Sequence, residues 1–208
     1  MHNLETPTLK LGLFKPFGSF GQALIAGALQ RQHEVTVLVD DLNRLRARPG
    51  LRCKLGSLDS SIEVSEAVSG LDAVFAFLDD QPAQSLPPQC GALIDGCLRV
   101  QVPRLLLVGH WGWLVEPADA DQEQLGAGLA RSLEVSGVDW TLVEAPRMPE
   151  GLRIDDFSRA GNASADDSAL TFSYAEALLD EMQLGLHTGQ CLRLRRGEEL
   201  PPCPAPMH

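Results

Sequence analysis

The sequence predicts an α/β protein in which helices cover both faces of a parallel sheet, and three observations support this. Short apolar segments alternate with segments of helical periodicity along most of the 208 residues. The apolar segments lack an inward–outward alternation, as expected of strands that are covered on both faces. The connections between segments are short, which favours strand–helix–strand units and therefore parallel strands.

The predicted elements follow one another from residue 9 to residue 196, which we expect to form a single domain. Apolar or β-branched runs predict strands at 9–14, 33–39, 51–56, 72–78, 103–109, 138–145 and 190–196. Helical spacing predicts helices at 20–32, 40–48, 60–70, 91–100, 121–137 and 173–185. Ser60 is the expected N-cap and Gly70 the expected stop of the third helix, and Ser173 is the expected N-cap of the last.

Two polar segments are predicted to lack regular structure. The segment 146–168 is rich in turn-forming residues and predicts a long loop near the strand ends. The proline-rich tail 197–208 predicts disorder.

Composition limits the function classes that the chain can belong to. Hydrophobic residues make up 44% of the chain and charged residues 22%, as in ordinary globular proteins. The net charge of −11 argues against nucleic acid or an anionic membrane as partner, since both require clustered cations. The start "MHNLETPT" lacks the apolar core of a signal peptide, and no apolar run is long enough to span a membrane. We therefore expect a cytoplasmic protein with a small-molecule ligand.

The five cysteines are scattered and form no CxxC pair, which predicts neither a zinc site nor a redox motif. Cys90 and Cys97 stand seven residues apart and can share one helix face. We expect unpaired thiols in a reducing compartment and no metal site.

The stretch "LKLGLFKPFGSFGQALIAGAL" carries the first functional signal. It predicts a strand, a turn containing Gly18 and Gly21, and then a helix. Glycines in such a turn let the backbone approach a pyrophosphate, whose charge the amides at the helix N-terminus meet. Ser19 would add a hydroxyl donor. The alternative is that Gly18 only turns the chain and Gly21 only lets the helix pack on the sheet.

Several stretches of the chain resemble the atypical short-chain dehydrogenases/reductases, in particular the NmrA-like and flavin-reductase-like NAD(P)-binding proteins. They are "LFKPFGSFGQALIAGALQRQHEVTVLVD", "AVSGLDAVFAFL", "VPRLLLVG", "SGVDWTLVEAPRM" and "SYAEALLDEM". The resemblance covers residues 9 to 196. It implies a Rossmann-like doubly wound sheet, bound NAD or NADP, and the reduction of a small planar acceptor such as a flavin or a quinone. Because this group also contains redox sensors, the alternative is a non-catalytic sensor or interaction protein with an altered nucleotide site.

The glycine turn departs from the pattern GATGxxG of those proteins. Lys15 stands in place of the first glycine of the pattern. Because the glycine that lets the backbone approach the pyrophosphate is missing and the lysine side chain would crowd the dinucleotide, we expect weak binding or none. The alternative is that Lys15 binds a phosphate as a point charge. Asp40 stands where relatives have the arginine that receives the 2′-phosphate, which favours NAD unless Asp40 is a solvated helix cap. Ser57 replaces an aspartate near the adenine. The expected cofactor-binding residues are Lys15, Phe17, Gly18, Ser19, Phe20, Gly21, Asp40, Leu78 and Gly109.

The usual catalytic pair of short-chain dehydrogenases is missing. The only tyrosine, Tyr174, is followed four residues later by Leu178, and no lysine occurs after Lys54. This leaves open whether the chain is an enzyme, and it lowers the expectation of alcohol or ketone chemistry.

The stretch "VGHWGWL" follows the strand that would carry the reaction site. His110 is the candidate proton donor, and Trp111 or Trp113 would stack on a flat ligand, unless the pair only fills space under a loop. Glu144 and Arg147, just beyond the next strand, are candidate substrate-binding residues or partners in a structural salt bridge.

Overall fold

The computed structural model describes residues 7–46, 48–79, 82–158 and 165–194. Seven strands form one parallel sheet in the order β3-β2-β1-β4-β5-β6-β7. The strands are β1 Lys10–Phe14, β2 Glu34–Val39, β3 Leu51–Leu55, β4 Ala73–Phe77, β5 Arg104–Gly109, β6 Asp139–Glu144 and β7 Gln190–Arg193. Within the described residues the helices are α1 Ser19–Gln30, α2 Ser61–Val68, α3 Leu86–Arg99, α4 Gly112–Val115, α5 Ala120–Glu134, α6 Ile154–Ser158 and α7 Ala165–Leu184.

The strand order reverses between β1 and β4, so the sheet is doubly wound and the predicted Rossmann-like fold is confirmed. Each face of the sheet has its own apolar core. Helices α1 and α7 pack together over one face, and α2, α3 and α5 cover the other. Neighbouring strand residues such as Leu13 and Phe14 point into opposite cores, and both are fully buried. Burial on both faces explains why the strands show no polar alternation.

The prediction of a helix at 40–48 is wrong. In the described part of this segment, one 3-10 turn forms, at Leu42–Arg44. The Asp41 carboxylate caps it by accepting the Asn43 N–H at 2.9 Å, and the backbone is extended again at Leu45. A short side chain that bonds the local backbone favours such a turn over a continuous helix.

The last third of the chain is more helical than predicted. Helix α7 begins at Ala165, so Ser173 is an interior residue whose hydroxyl donates to the Leu170 carbonyl at 2.8 Å, and its predicted role as N-cap is wrong. The predicted long loop contains α6, whose Ile154 and Phe157 are buried in the same core as α1.

The predicted ends of α2 are confirmed. The Ser60 hydroxyl accepts the Glu63 N–H at 3.3 Å, and Gly70 follows the helix with a φ of +77°. Helix α3 begins at Leu86, five residues earlier than expected, because prolines are tolerated in a first helical turn.

Cys90 and Cys97 lie in the core as free thiols, as expected, and burial raises the pKa of each to about 12. They are therefore poor nucleophiles at neutral pH. No helix of the described residues is long and apolar enough to cross a membrane. The predicted disordered tail 197–208 lies outside the described residues.

Candidate functional site

The turn between β1 and α1 lies where the strand order reverses, beyond the carboxyl ends of β1 and β4. Lys15 adopts the left-handed conformation, with a φ of 51°, and its N–H donates to the Leu38 carbonyl at 3.2 Å. A non-glycine residue in this conformation is strained by about 1 kcal/mol. The fold therefore retains a backbone position that suits glycine, although a lysine occupies it.

The fold requires a glycine at position 21 but not at position 18. A Cβ atom on Gly21 would lie 2.6 Å from the backbone C and Cα of Pro16, so this glycine allows the helix and the turn to approach closely. A Cβ on Gly18 would have no described atom within 4 Å, and the φ of Gly18 is an ordinary −71°. The fold alone explains Gly21 but not Gly18, whose missing side chain leaves open space at the N-terminus of α1.

That N-terminus suits an anion. Among the described residues no side chain caps α1, and its first turn carries no acidic residue, so the positive end of the helix dipole is left without a compensating charge. Ser19 contributes less than expected, since its buried hydroxyl oxygen accepts the Leu152 N–H at 3.2 Å. Ser19 therefore ties the segment after β6 to the first turn of α1.

A cavity of about 540 Å³ opens beside this turn, beyond the carboxyl ends of β2 and β3. Lys15 and Asp40 both line it, as expected for cofactor-binding residues. The charged groups are predominantly acidic, with the carboxylates of Asp40, Asp59, Glu63 and Glu66 against the ammonium groups of Lys15 and Lys54. The Lys54 ammonium is itself engaged, because it donates to the main-chain carbonyls of Glu66 and Ala67 near the end of α2.

Sequence reasoning missed the acidic residues that follow β3. Their position in the sequence was a usable signal. The segment that follows a parallel strand begins at the same edge of the sheet as the glycine turn. Ser57, which replaces the aspartate of the related proteins, donates to the Asp59 carboxylate at 2.6 Å and accepts the Asp59 N–H at 3.0 Å. These two hydrogen bonds hold the Asp59 carboxylate beside Ser57, the position at which related proteins have an aspartate.

Three of the expected cofactor-binding residues, Phe20, Leu78 and Gly109, are buried and line neither of the two described cavities. The Phe20 ring packs edge-on against Phe77, with centroids 6.1 Å apart. Leu78 is buried, and its N–H donates to the Val108 carbonyl at 2.8 Å. Gly109 lies under the Trp111 indole, where a Cβ atom would be 3.3 Å from the ring. None of these three residues presents an exposed surface at the turn between β1 and α1. Phe17 is partly exposed within that turn.

The segment after β5 is pinned to β6 by one carboxylate. One Glu144 oxygen accepts the Trp111 N–H at 2.6 Å, and the other lies 3.7 Å from Nδ1 of His110. The Trp111 side chain is 2% exposed, and its indole N–H donates to the Val143 carbonyl at 3.2 Å. Trp111 is thus a core residue with no exposed face for a flat ligand, as in the space-filling alternative.

The other candidate substrate-binding residues, Trp113, Glu144 and Arg147, are less buried than Trp111. Trp113 on α4 is partly buried, and its indole N–H is enclosed without a hydrogen-bond partner among the described residues. Arg147 is exposed, and the described ion pair of Glu144 is with His110, not with Arg147. A second cavity of about 310 Å³ lies beyond the ends of β6 and β7, lined by Glu144, Ala145, Pro146, Arg193 and Leu194.

Comparison with known families agrees with this geometry. A family model described as NAD(P)H-binding matches residues 17–168, which is most of the chain. The chain belongs to this NAD(P)H-binding family. The match begins at Phe17, so β1 and the Lys15-Pro16 turn precede it. A comparison with curated proteins finds no match.

Several solved structures are similar in fold. A proposed epimerase from Bacteroides thetaiotaomicron is 24% identical, with 90% of this chain and 96% of that chain covered and a TM-score of 0.66. A proposed NADH-flavin reductase from Streptococcus pneumoniae is 21% identical, with 89% and 98% covered and a TM-score of 0.61. A short-chain dehydrogenase/reductase from Veillonella parvula, solved with NADP, is 15% identical, with 90% and 94% covered and a TM-score of 0.61.

Proposed function

We propose that this NAD(P)H-binding protein is an oxidoreductase that uses NAD in preference to NADP and reduces a small planar acceptor such as a flavin or a quinone. The observation that carries the proposal is the open space at Gly18, beside an uncapped helix N-terminus and a large cavity. A pyrophosphate has both the negative charge and the need for close backbone approach that this place offers.

The described residues fit a dinucleotide in its adenosine and pyrophosphate half. Gly18 would leave room for the pyrophosphate, the first amides of α1 would meet its charge, and Asp40 would accept hydrogen bonds from ribose hydroxyls. The bound nicotinamide supplies a hydride, and the protein supplies binding, orientation and a proton.

The acidic cavity is the reason for the preference for NAD. The 2′-phosphate of NADP carries nearly two negative charges and would face Asp40 among three other carboxylates. Two like unit charges about 4 Å apart repel by roughly 4 kcal/mol at an effective dielectric of 20, and exposure to solvent reduces that value. NADP binding therefore has an electrostatic cost that NAD binding avoids.

Lys15 is the reason why we expect the affinity for NAD to be weaker than low micromolar. Its side chain lines the cavity at the place of a glycine, so it occupies part of the space next to the pyrophosphate. A lysine can also bind a phosphate as a point charge, which makes its substitution informative.

The acceptor is assigned to the carboxyl edge of β5 and β6. His110, Trp113, Glu144 and Arg147 lie there and offer a proton donor, an aromatic surface and two charges. The missing tyrosine–lysine pair argues against alcohol or ketone chemistry and favours acceptors such as flavins or quinones, which accept electrons readily. We also propose a reducing, cytoplasmic location, in keeping with the free thiols of the described chain.

Calorimetric titration with NAD⁺, NADP⁺, NADH and NADPH tests the proposal, followed by NADH oxidation assays with flavin and quinone acceptors. We expect NAD(H) to bind more tightly than NADP(H), and Asp40→Ala to reduce that difference. Asp95→Ala, at an exposed position on α3 that does not line the cavity, is the matched control. Equal or tighter NADP binding by the wild type, unchanged in Asp40→Ala, would show that Asp40 does not face the ribose.

A further inference from the structure

We propose that His110 is a catalytic proton donor and that Glu144 is the positioning residue that orients it. The proposal rests on the proposed function, since it assigns the proton that must accompany hydride transfer. His110 and Glu144 would together carry out the proton transfer that a tyrosine–lysine pair, which this chain lacks, performs in ordinary short-chain dehydrogenases. Three features of the described residues support it: the strand register, the anchoring of the carboxylate and the exposure of the imidazole.

The register of the sheet brings the two residues together. Gly109 at the end of β5 pairs with Glu144 at the end of β6, so His110 leaves its strand at the level of the Glu144 side chain. The Glu144 carboxylate then spans two consecutive residues, with one oxygen 2.6 Å from the Trp111 nitrogen and the other 3.7 Å from His110 Nδ1. The second distance is longer than a hydrogen bond, and such contacts shorten when a ligand orders the site.

Glu144 cannot easily turn away from His110. Its bond to the Trp111 N–H is a short, charge-assisted hydrogen bond. The Trp111 indole is fixed in the core by Gly109 beneath it and by the Val143 carbonyl. Turning the carboxylate away from His110 would break the hydrogen bond to the Trp111 N–H, so this bond keeps the other oxygen on the side of the imidazole.

The exposure of the pair fits a proton transfer. The His110 side chain is 54% exposed and the Glu144 side chain 24%, so the imidazole reaches solvent while the carboxylate is mostly covered. When Nδ1–H faces Glu144, Nε2 is the nitrogen that faces a ligand. Another charged group near the carboxylate is Arg193, the register partner of Glu144 on β7, which lines the same small cavity.

The reaction balances with a reduced nicotinamide dinucleotide as the reductant. The acceptor gains a hydride from it and a proton from Nε2 of His110, which breaks the Nε2–H bond and leaves neutral His110. The Glu144 carboxylate stabilises the imidazolium before the transfer and holds Nδ1–H after it. His110 regains its proton from solvent.

The tautomer of His110 tests the positioning without any cofactor. We expect ¹⁵N-detected NMR at mildly alkaline pH to show neutral His110 mainly as the Nδ1–H form in the wild type. In Glu144→Gln the amide oxygen can still accept the Trp111 N–H while its NH₂ group donates to Nδ1, so the Nε2–H form should predominate. His110→Gln assigns the signal, and Glu134→Gln at an exposed position on α5 is the control. The tautomer mixture of free histidine in the wild type, or the same tautomer in both proteins, would overturn the positioning role.

Kinetics test the catalytic role. With a flavin or quinone acceptor, His110→Ala should lower kcat about 100-fold, and added imidazole should restore part of it. Glu144→Gln should lower kcat about tenfold, with KM for NADH unchanged in both variants. If His110→Ala binds NADH and keeps the wild-type kcat, His110 is not the proton donor, and the proposed function is not affected. A protein that binds no dinucleotide would refute the proposed function, and with it the catalytic role, whatever the tautomer result.

Discussion

The two edges of the sheet each carry a glutamate–histidine pair, and the difference between them separates a structural pair from one that is available for chemistry. At the amino edge, Glu181 and His187 Nδ1 are 2.7 Å apart, and the Glu181 side chain is only 4% exposed. At the carboxyl edge, Glu144 and His110 are 3.7 Å apart and both are more exposed. The same two residue types therefore occur in a tight arrangement around a buried carboxylate and in a looser, more open one.

The amino-edge pair belongs to a larger network. Glu181 also accepts from the Arg104 guanidinium at 3.0 Å, and Arg104 donates to the Thr141 hydroxyl at 2.7 Å. Burial lowers the pKa of Arg104, while attraction by Glu181 and Asp139 opposes that change. This network joins α7 to the first residues of β5 and β6, so its contribution is to the fold.

The largest predicted effect is the loss of this network. Glu181→Ala should lower the free energy of unfolding by about 3–5 kcal/mol, because it leaves the Arg104 charge buried without its partner. Glu144→Gln should cost less than about 1 kcal/mol, since its site is partly exposed and glutamine can keep the Trp111 bond. Urea denaturation measures both, with Glu176→Ala at an exposed position on α7 as control. Equal losses at the two edges would remove the distinction between them.

The second prediction compares the two glycines of the carboxyl edge. Gly21→Ala should destabilise the protein by about 1–3 kcal/mol, because the new Cβ would lie 2.6 Å from the Pro16 backbone. Gly18→Ala should change stability by less than about 1 kcal/mol but weaken NAD binding about tenfold, because its Cβ fills the open space at the helix N-terminus. Denaturation and calorimetry measure these effects. Unchanged NAD affinity in Gly18→Ala would mean that the pyrophosphate lies elsewhere.

The sequence predicted the strands better than the helices for a physical reason. Every predicted strand forms. The central strands β1, β4 and β5 are buried apolar runs whose residues point into two cores, whereas the edge strands β3 and β7 are only partly buried. The first turns of α7 were missed because "ADDSAL" is polar and resembles a loop. Helix α6 was missed because its five residues owe their stability to packing against α1.

The site was predictable in position but not in its contacts. The glycine turn and the ends of β5 and β6 lie at the carboxyl edge of the sheet, as the alternation of predicted strands and helices indicates. The pairing of His110 with Glu144 depends on the register between β5 and β6, whose paired residues lie 35 positions apart in the chain, and local sequence does not specify that register. The burial of Trp111 depends on Gly109 and Val143 in the same way.

A smaller effect is expected from pH at the amino edge. Burial lowers the pKa of His33, and the nearby positive charge of Arg31 lowers it further. The unfolded chain then takes up a proton near pH 6.5 that the folded protein does not, so this stability is complete above pH 6.5 and is lost as the pH falls toward the folded pKa. His33→Gln should therefore lose less free energy of unfolding than the wild type between pH 7 and pH 5. A steeper loss in the variant would contradict this assignment.

The smallest predicted stability change concerns Lys15, whose left-handed backbone marks the strained point of the carboxyl edge. Lys15→Gly should raise the free energy of unfolding by less than about 1 kcal/mol, because relief of strain is partly offset by the greater freedom of glycine in the unfolded chain. The same variant should bind NAD more tightly if the side chain crowds the pyrophosphate, whereas Lys15→Met, which keeps the bulk and removes the charge, should bind as the wild type does. Weaker binding by both variants would instead show that the Lys15 ammonium holds a phosphate, and the strained lysine would then be a binding residue that replaces the missing glycine.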